Sequence, residues 1–172
     1  MKKAFLQAFF LFTVFMPSDI YAQGDVAVTT ESSVMIGSMT TPEYRKLIEE
    51  FQFDEHTLEM QEFIKAMQDP DVVILDLRSE EEYARGHVRG AKHLGADIKA
   101  EKLEALVPSK DTKILLYCSN SLMITRLVSL TDISLPLFKA HGYNNFYKLE
   151  NANASSHKDE KMIKAKLNFV YP

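Results

Sequence analysis

Lys113-Ile114-Leu115-Leu116-Tyr117-Cys118-Ser119-Asn120-Ser121 is a short apolar run that ends in a cysteine and passes at once into small polar residues. Such a run reads as a buried strand that delivers a thiol to the rim of a sheet. Cys118 is the only cysteine among 172 residues. In open α/β sheets ligands bind outside the carboxyl ends of the strands, so a strand-loop-helix passage with Cys118 at the turn has the geometry of a site. The loop's N–H groups and the start of the following helix would together face an anion there.

A second run of the same kind precedes it. Val72 to Leu77 is continuously β-branched and aliphatic, the pattern of a strand buried on both faces of a parallel sheet. Ser79-Glu80-Glu81-Glu82 then forms a capping box, and Arg85-Gly86 closes a short helix with Gly86 as a left-handed cap. Asp76 and Arg78 therefore stand at another carboxyl end of the sheet. A turn at 87–91 leads to a short strand over Lys92 to Leu94, and a helix from Ile98 to Leu106 points Leu103 and Leu106 inward.

Upstream, Thr41 caps a helix with Pro42 at its first position, and Tyr44, Leu47, Ile48 and Phe51 recur at helical spacing. Asp54 caps a second helix carrying Met60, Phe63, Ile64 and Met67. His56 falls in its first turn, has no second ligand at metal spacing, and reads as a solvated residue. Downstream of Cys118, Pro136 interrupts the helical pattern, which predicts a broken helix or two helices between Met123 and Ala140, closed by Gly142. Asn145 to Leu149 is a last short strand, and Asn151 to Lys161 reads as polar loop. The tail from Lys158 to Lys166 is basic, with Met162, Ile163, Leu167 and Phe169 interspersed, and either docks as a helix or extends. Strands alternating with helices indicate an α/β fold with a parallel sheet between helical layers.

The bulk composition agrees with one ordinary domain: 46% hydrophobic, 26% charged, formal net charge -4. No clustered basic face supports a nucleic-acid partner. Residues 1–22 have the layout of a secretory signal: Lys2 and Lys3, an apolar run from Ala4 to Met16, then Pro17 to Ala22 as a cleavage region. That run is too short to span a bilayer comfortably, so the expectation is an exported chain, periplasmic or secreted, without stable membrane insertion; an uncleaved anchor is the alternative. Residues 23–40 read as a flexible N-terminal arm. An unpaired cysteine in an oxidising compartment must be buried, shared between chains or reactive. Two readings of Cys118 stand side by side, a small buried hydrophobe and a reactive thiol.

Three blocks resemble a known family. Val73-Ile74-Leu75-Asp76-Leu77-Arg78, the acidic helix after it and Gly86-His87-Val88-Arg89-Gly90-Ala91 look like the first signature of rhodanese-like domains. Ile114 to Cys118 is similar to that family's catalytic-cysteine strand, and His141 to Glu150 to its closing segment. The resemblance covers residues 41–150 and leaves 151–172 as a C-terminal tail. It implies a three-layer fold with a central parallel five-stranded sheet flanked by helices. It also implies a sulfurtransferase in which Cys118 takes sulfane sulfur from a small anion, thiosulfate or a mercapto acid, and passes it from a persulfide to a thiol or other thiophilic acceptor. Ser119, Asn120, Ser121, Leu122, Met123 and Ile124 would form the anion-binding loop. Asp76 and Arg78 would frame the neighbouring strand end by family analogy, while a structural ion pair or helix cap is the preferred reading of the pair, and His87 would fix its turn. No metal or organic cofactor is implied.

This chain departs from the family's pattern at the loop. Residues 119–124 contain neither glycine nor a cation, the segment from Cys118 to Gly142 is several residues longer than usual, and Asn151-Ala152 replaces a glycine pair. A loop without glycine takes a different shape, and one without Lys or Arg attracts a dianion less. Two further readings follow: a non-catalytic binding or regulatory module, and a redox-active thiol. A cysteine phosphatase is disfavoured, because its arginine closes over phosphate five positions beyond the thiol, whereas Arg126 lies eight beyond Cys118.

Overall fold

The computed structural model describes residues 40–172 together with the backbone of 35, 36 and 39. The signal expected at 1–22 and most of the arm expected at 23–40 lie outside the described residues. A two-residue hairpin, β1 (Met35–Ile36) and β2 (Met39–Thr40), leads into α1 (Thr41–Glu50). Its cap is Thr40, one residue before the expected Thr41, and the Thr40 N–H donates to Glu43 Oε2 at 2.9 Å. A short 3-10 helix over Phe53–His56 is followed by β3 (Thr57–Leu58) and α2 (Met60–Ala66). Then come β4 (Val73–Asp76), α3 (Glu80–Arg85), β5 (His87–Val88), β6 (Lys92–His93) and α4 (Ala100–Leu106). The second half comprises β7 (Ile114–Tyr117), α5 (Ser119–Leu122), α6 (Leu130–Ala140), β8 (Phe146–Leu149), α7 (His157–Lys166) and β9 (Phe169–Val170).

The central sheet has five parallel strands in the order β3-β8-β7-β4-β6, with β7 in the middle. Strand residues alternate between its faces, and the core divides accordingly. Leu75, Leu77, Ile114, Leu116 and Cys118 join Tyr44, Leu103, Leu135 and Phe138 on one side, under α1, α4 and α6. Ile74, Leu115 and Tyr117 join Phe63, Leu122, Leu149 and Leu167 on the other. This is the three-layer α/β arrangement that the alternation of strand and helix patterns anticipates.

Four local expectations are corrected. Glu59 rather than Asp54 precedes the second helix, because Asp54 is taken up in the 3-10 turn and the chain then adds the edge strand β3. His56 is not a solvated residue: its Nδ1 lies 2.8 Å from the Phe146 carbonyl and its ring stacks on Phe146 at 4.3 Å between centroids. Pro136 does not break the chain; α6 runs through it, forgoing one backbone bond, while Leu135, Pro136, Leu137 and Phe138 are all buried. Gly86 (φ 156°, ψ 143°) ends α3 outside the left-handed helical region expected of it.

The segment set apart as a tail is built into the domain. Ser156 Oγ accepts from the Asp159 N–H at 3.3 Å and starts α7 within the stretch expected to be loop. Leu167 is fully buried, and β9 pairs antiparallel with β5, Val88 opposite Phe169.

Candidate functional site

β7 runs fully buried through the middle of the sheet and ends at Cys118, where side-chain alternation turns Tyr117 to one face and the thiol to the other. Cys118 is 1% exposed. Its Sγ lies 3.3 Å from Ser129 Oγ and 3.9 Å from Thr131 Oγ1, and these two buried hydroxyls are 2.7 Å apart. Among the described residues these are the hydrogen-bonding partners of the sulfur. Ser129 is the N-cap of α6, but its side chain faces the thiol and makes no capping bond. The start of α6 therefore presents two hydroxyls to Cys118, each able to donate to an anionic sulfur.

The Ser121 N–H faces the Cys118 side chain in a capping-box arrangement, without a full hydrogen bond to the sulfur. Without glycine, residues 119–122 take an ordinary helical turn that uses its own amides: Ser121 N–H donates to the Cys118 carbonyl at 3.1 Å and Met123 N–H to the Ser119 carbonyl at 2.9 Å. Beyond the turn, the Thr125 and Arg126 N–H groups donate to Asn120 Oδ1 at 3.3 and 3.1 Å. Ser121 Oγ accepts from the Cys118 N–H at 3.3 Å, and Ser119 Oγ donates to Glu82 Oε1 at 2.9 Å. Leu122 is buried on the far face of the sheet, Met123 is half-buried and Ile124 is exposed. Ser119, Asn120, Ser121 and Met123 thus hold the backbone after the cysteine through hydrogen bonds.

Ser129 and Thr131 are the site residues that the sequence reading missed. The signal available for them was a Ser-x-Thr pair opening a helical pattern after the interruption. One turn further, Asp132 forms an ion pair with the buried Lys148 of β8, and Asn151 Nδ2 donates to its other oxygen at 3.4 Å. The nearby buried cation is therefore already neutralised.

Asp76 and Arg78 form a buried ion pair at 2.6 Å. Arg78 also donates to the Gly86 carbonyl at 2.7 Å, and its guanidinium lies over the Tyr117 and Phe169 rings at 5.4 and 5.2 Å. The Tyr117 hydroxyl donates to Asp76 Oδ2 and accepts from the Val88 N–H at 3.1 Å. Burial first, and the Asp76 charge second, push the Tyr117 phenol well above its ordinary value, so it stays a donor. The pair joins the ends of β4 and β7 to β5. His87 likewise fixes its turn, with Nδ1 2.9 Å from the Tyr83 carbonyl and its ring stacked on Tyr83.

A cleft of about 230 Å³ opens beside this tie, lined by Glu82, Ser119, Leu122, Met123 and Lys164 among others. Cys118 is not among its lining residues, since it faces the opposite side of the sheet. Among the described residues no group of three or more His, Cys, Asp or Glu side chains is placed to hold a metal ion.

The family model for the rhodanese-like domain matches residues 59–153. Among curated proteins, the tRNA uridine(34) hydroxylase of Enterobacter sp. (strain 638) is 29% identical over 99 residues, covering 52% of this chain and 26% of that protein. The protein of the same name from Escherichia coli (strain K12 / DH10B) is 28% identical over 88 residues, covering 49% and 23%. The chain thus spans about a quarter of the length of these relatives. Among solved structures, the rhodanese-like domain of the Alr3790 protein from Anabaena sp. aligns with TM-score 0.46 and 17% identity over 63% of this chain and 74% of that one. A rhodanese with anions from E. coli aligns with TM-score 0.35 and 24% identity over 51% and 89%.

Proposed function

The chain belongs to the rhodanese-like domain family, and on that premise we propose that it carries sulfane sulfur as a persulfide on Cys118. The observation that carries this reading is the position of the thiol, at the carboxyl end of the central strand and against the Ser129 and Thr131 hydroxyls that open α6. The Cys118 thiolate attacks the outer sulfur of thiosulfate; the S–S bond breaks, sulfite leaves with its electron pair, and the enzyme holds Cys–S–S⁻. A thiophilic acceptor such as cyanide or a thiolate then takes the terminal sulfur and regenerates the Cys118 thiolate. The two hydroxyls are the donors available to the anionic sulfur in each step. A mercapto acid is the alternative donor, and export of the chain after cleavage near Ala22 belongs to the same proposal.

The test is thiocyanate formation from thiosulfate, or from mercaptopyruvate, plus cyanide. Wild-type turnover that disappears in Cys118→Ala supports the reading, and equal turnover in the two proteins ends it. A second reading is favoured by the burial of the thiol and by the engagement of the loop amides elsewhere: a non-catalytic module that binds a partner through the altered loop. It predicts no turnover with either donor and no alkylation of Cys118 in the folded protein.

A further inference from the structure

The chain leaves β7 at Cys118 and returns to the same atom eleven residues later, where Ser129 Oγ meets Sγ at 3.3 Å. Everything between those two residues is an excursion within the long Cys118–Gly142 segment. One buried side chain ties it together. Asn120, 4% exposed, accepts at Oδ1 from the Thr125 N–H (3.3 Å), the Thr125 hydroxyl (3.1 Å) and the Arg126 N–H (3.1 Å), and its Nδ2 donates to the Arg126 carbonyl at 2.9 Å. Its own carbonyl accepts from the Ala152 N–H at 2.8 Å, which anchors it to the segment after β8.

Leu122 packs into the core, but beyond Met123 apolar packing does not hold the excursion. Ile124, Leu127 and Val128 are 59%, 103% and 54% exposed, so their side chains contribute little to keeping it in place. The amide of Asn120 supplies the closure that burial does not.

We propose that Asn120 is a positioning residue that latches the loop between Cys118 and Ser129 shut and thereby sets how fast a sulfur donor reaches Sγ. The assignment rests on the reading of Cys118 as the reacting atom. Opening requires the four side-chain bonds of Asn120 to break together, while the anchor at Ala152 and the strand beneath stay in place. It is a local event rather than unfolding.

Because Cys118 is the sole cysteine, iodoacetamide reports on this opening in the full chain without any turnover. Asn120→Ala, which removes all four bonds, is expected to raise the native-state alkylation rate by about tenfold or more. Asn120→Asp keeps the acceptor at Oδ1 but sets a second carboxylate oxygen against the Arg126 carbonyl, so its rate should also rise above wild type. A local opening gives rates that are flat in low urea, whereas a merely structural role makes them climb with the global unfolding equilibrium. An Asn120→Ala rate equal to wild type, or one that tracks global unfolding, overturns the latch. Should Asn120→Ala fail to fold, the exposed Thr125→Val removes one bond and is expected to give about threefold; no change there overturns the proposal equally. Faster, urea-independent alkylation with no thiocyanate formation by any variant leaves the latch standing and removes the sulfur-transfer reading. Turnover in wild type with unchanged alkylation in Asn120→Ala does the reverse.

Discussion

Tyr117 and Cys118 are adjacent in sequence and face opposite layers of the core, and that single step along a strand separates the Asp76 tie from the thiol at the end of β7. Tyr117 completes the tie with Asp76 and Arg78, which holds three chain segments without touching the sulfur. On the same face, Glu82 links the cysteine turn to α3. Burial alone would raise its carboxyl; the hydroxyl of Ser119, the Ser79 cap and the charge of Arg78 outweigh burial and hold it below its ordinary value of 4.5. A carboxyl lowered in the folded state stabilises the fold above its unfolded value, and that contribution disappears as pH falls through the folded value. Urea unfolding of wild type should therefore weaken below about pH 4.5. Glu82→Gln should show a shallower acid slope over the same window, and identical slopes would deny Glu82 this role.

The cysteine loop shows how an element's place can be legible in the sequence while its shape is not. Its start at Cys118 follows from the apolar run before it, and its departure from the family follows from the missing glycine and the extra length. Local pattern alone did not reveal that the absence of glycine would commit the amides of residues 121 and 123 to a helical turn. Pro136 is the converse case. A sequence rule that breaks helices is overridden because residues 135–138 are all buried beneath the sheet. The tip of the loop is free of such tertiary demands. Leu127→Ser should change the urea-derived stability by less than about 0.5 kcal/mol, because the leucine is fully exposed. A loss of more than about 1 kcal/mol would mean that the tip is packed in solution.

At the scale of the molecule, the C-terminal segment packs on the core beyond the span of the family model. The family model stops at residue 153, yet Leu167 is fully buried, Ile163 and Phe169 pack on the same cluster, and β9 pairs with β5 beside the Arg78 tie. A chain ending at 153 should lose about 3 kcal/mol or more of stability, measured as a lower urea midpoint, because burying one leucine is worth ~1.5–3 kcal/mol. An unchanged midpoint would make the segment an appendage. The sequence by itself determined the strands at 73–76, 114–117 and 146–149, the α/β class and the place of Cys118 at a strand end. Apolar runs, caps and turn residues are local signals, and local signals suffice to specify elements. Only the tertiary structure decided that the sulfur meets Ser129 and Thr131, that Asn120 closes the loop, and that α7 and β9 pack on the core. Those outcomes depend on how segments distant along the chain pack against one another, and no periodicity within a short window encodes that.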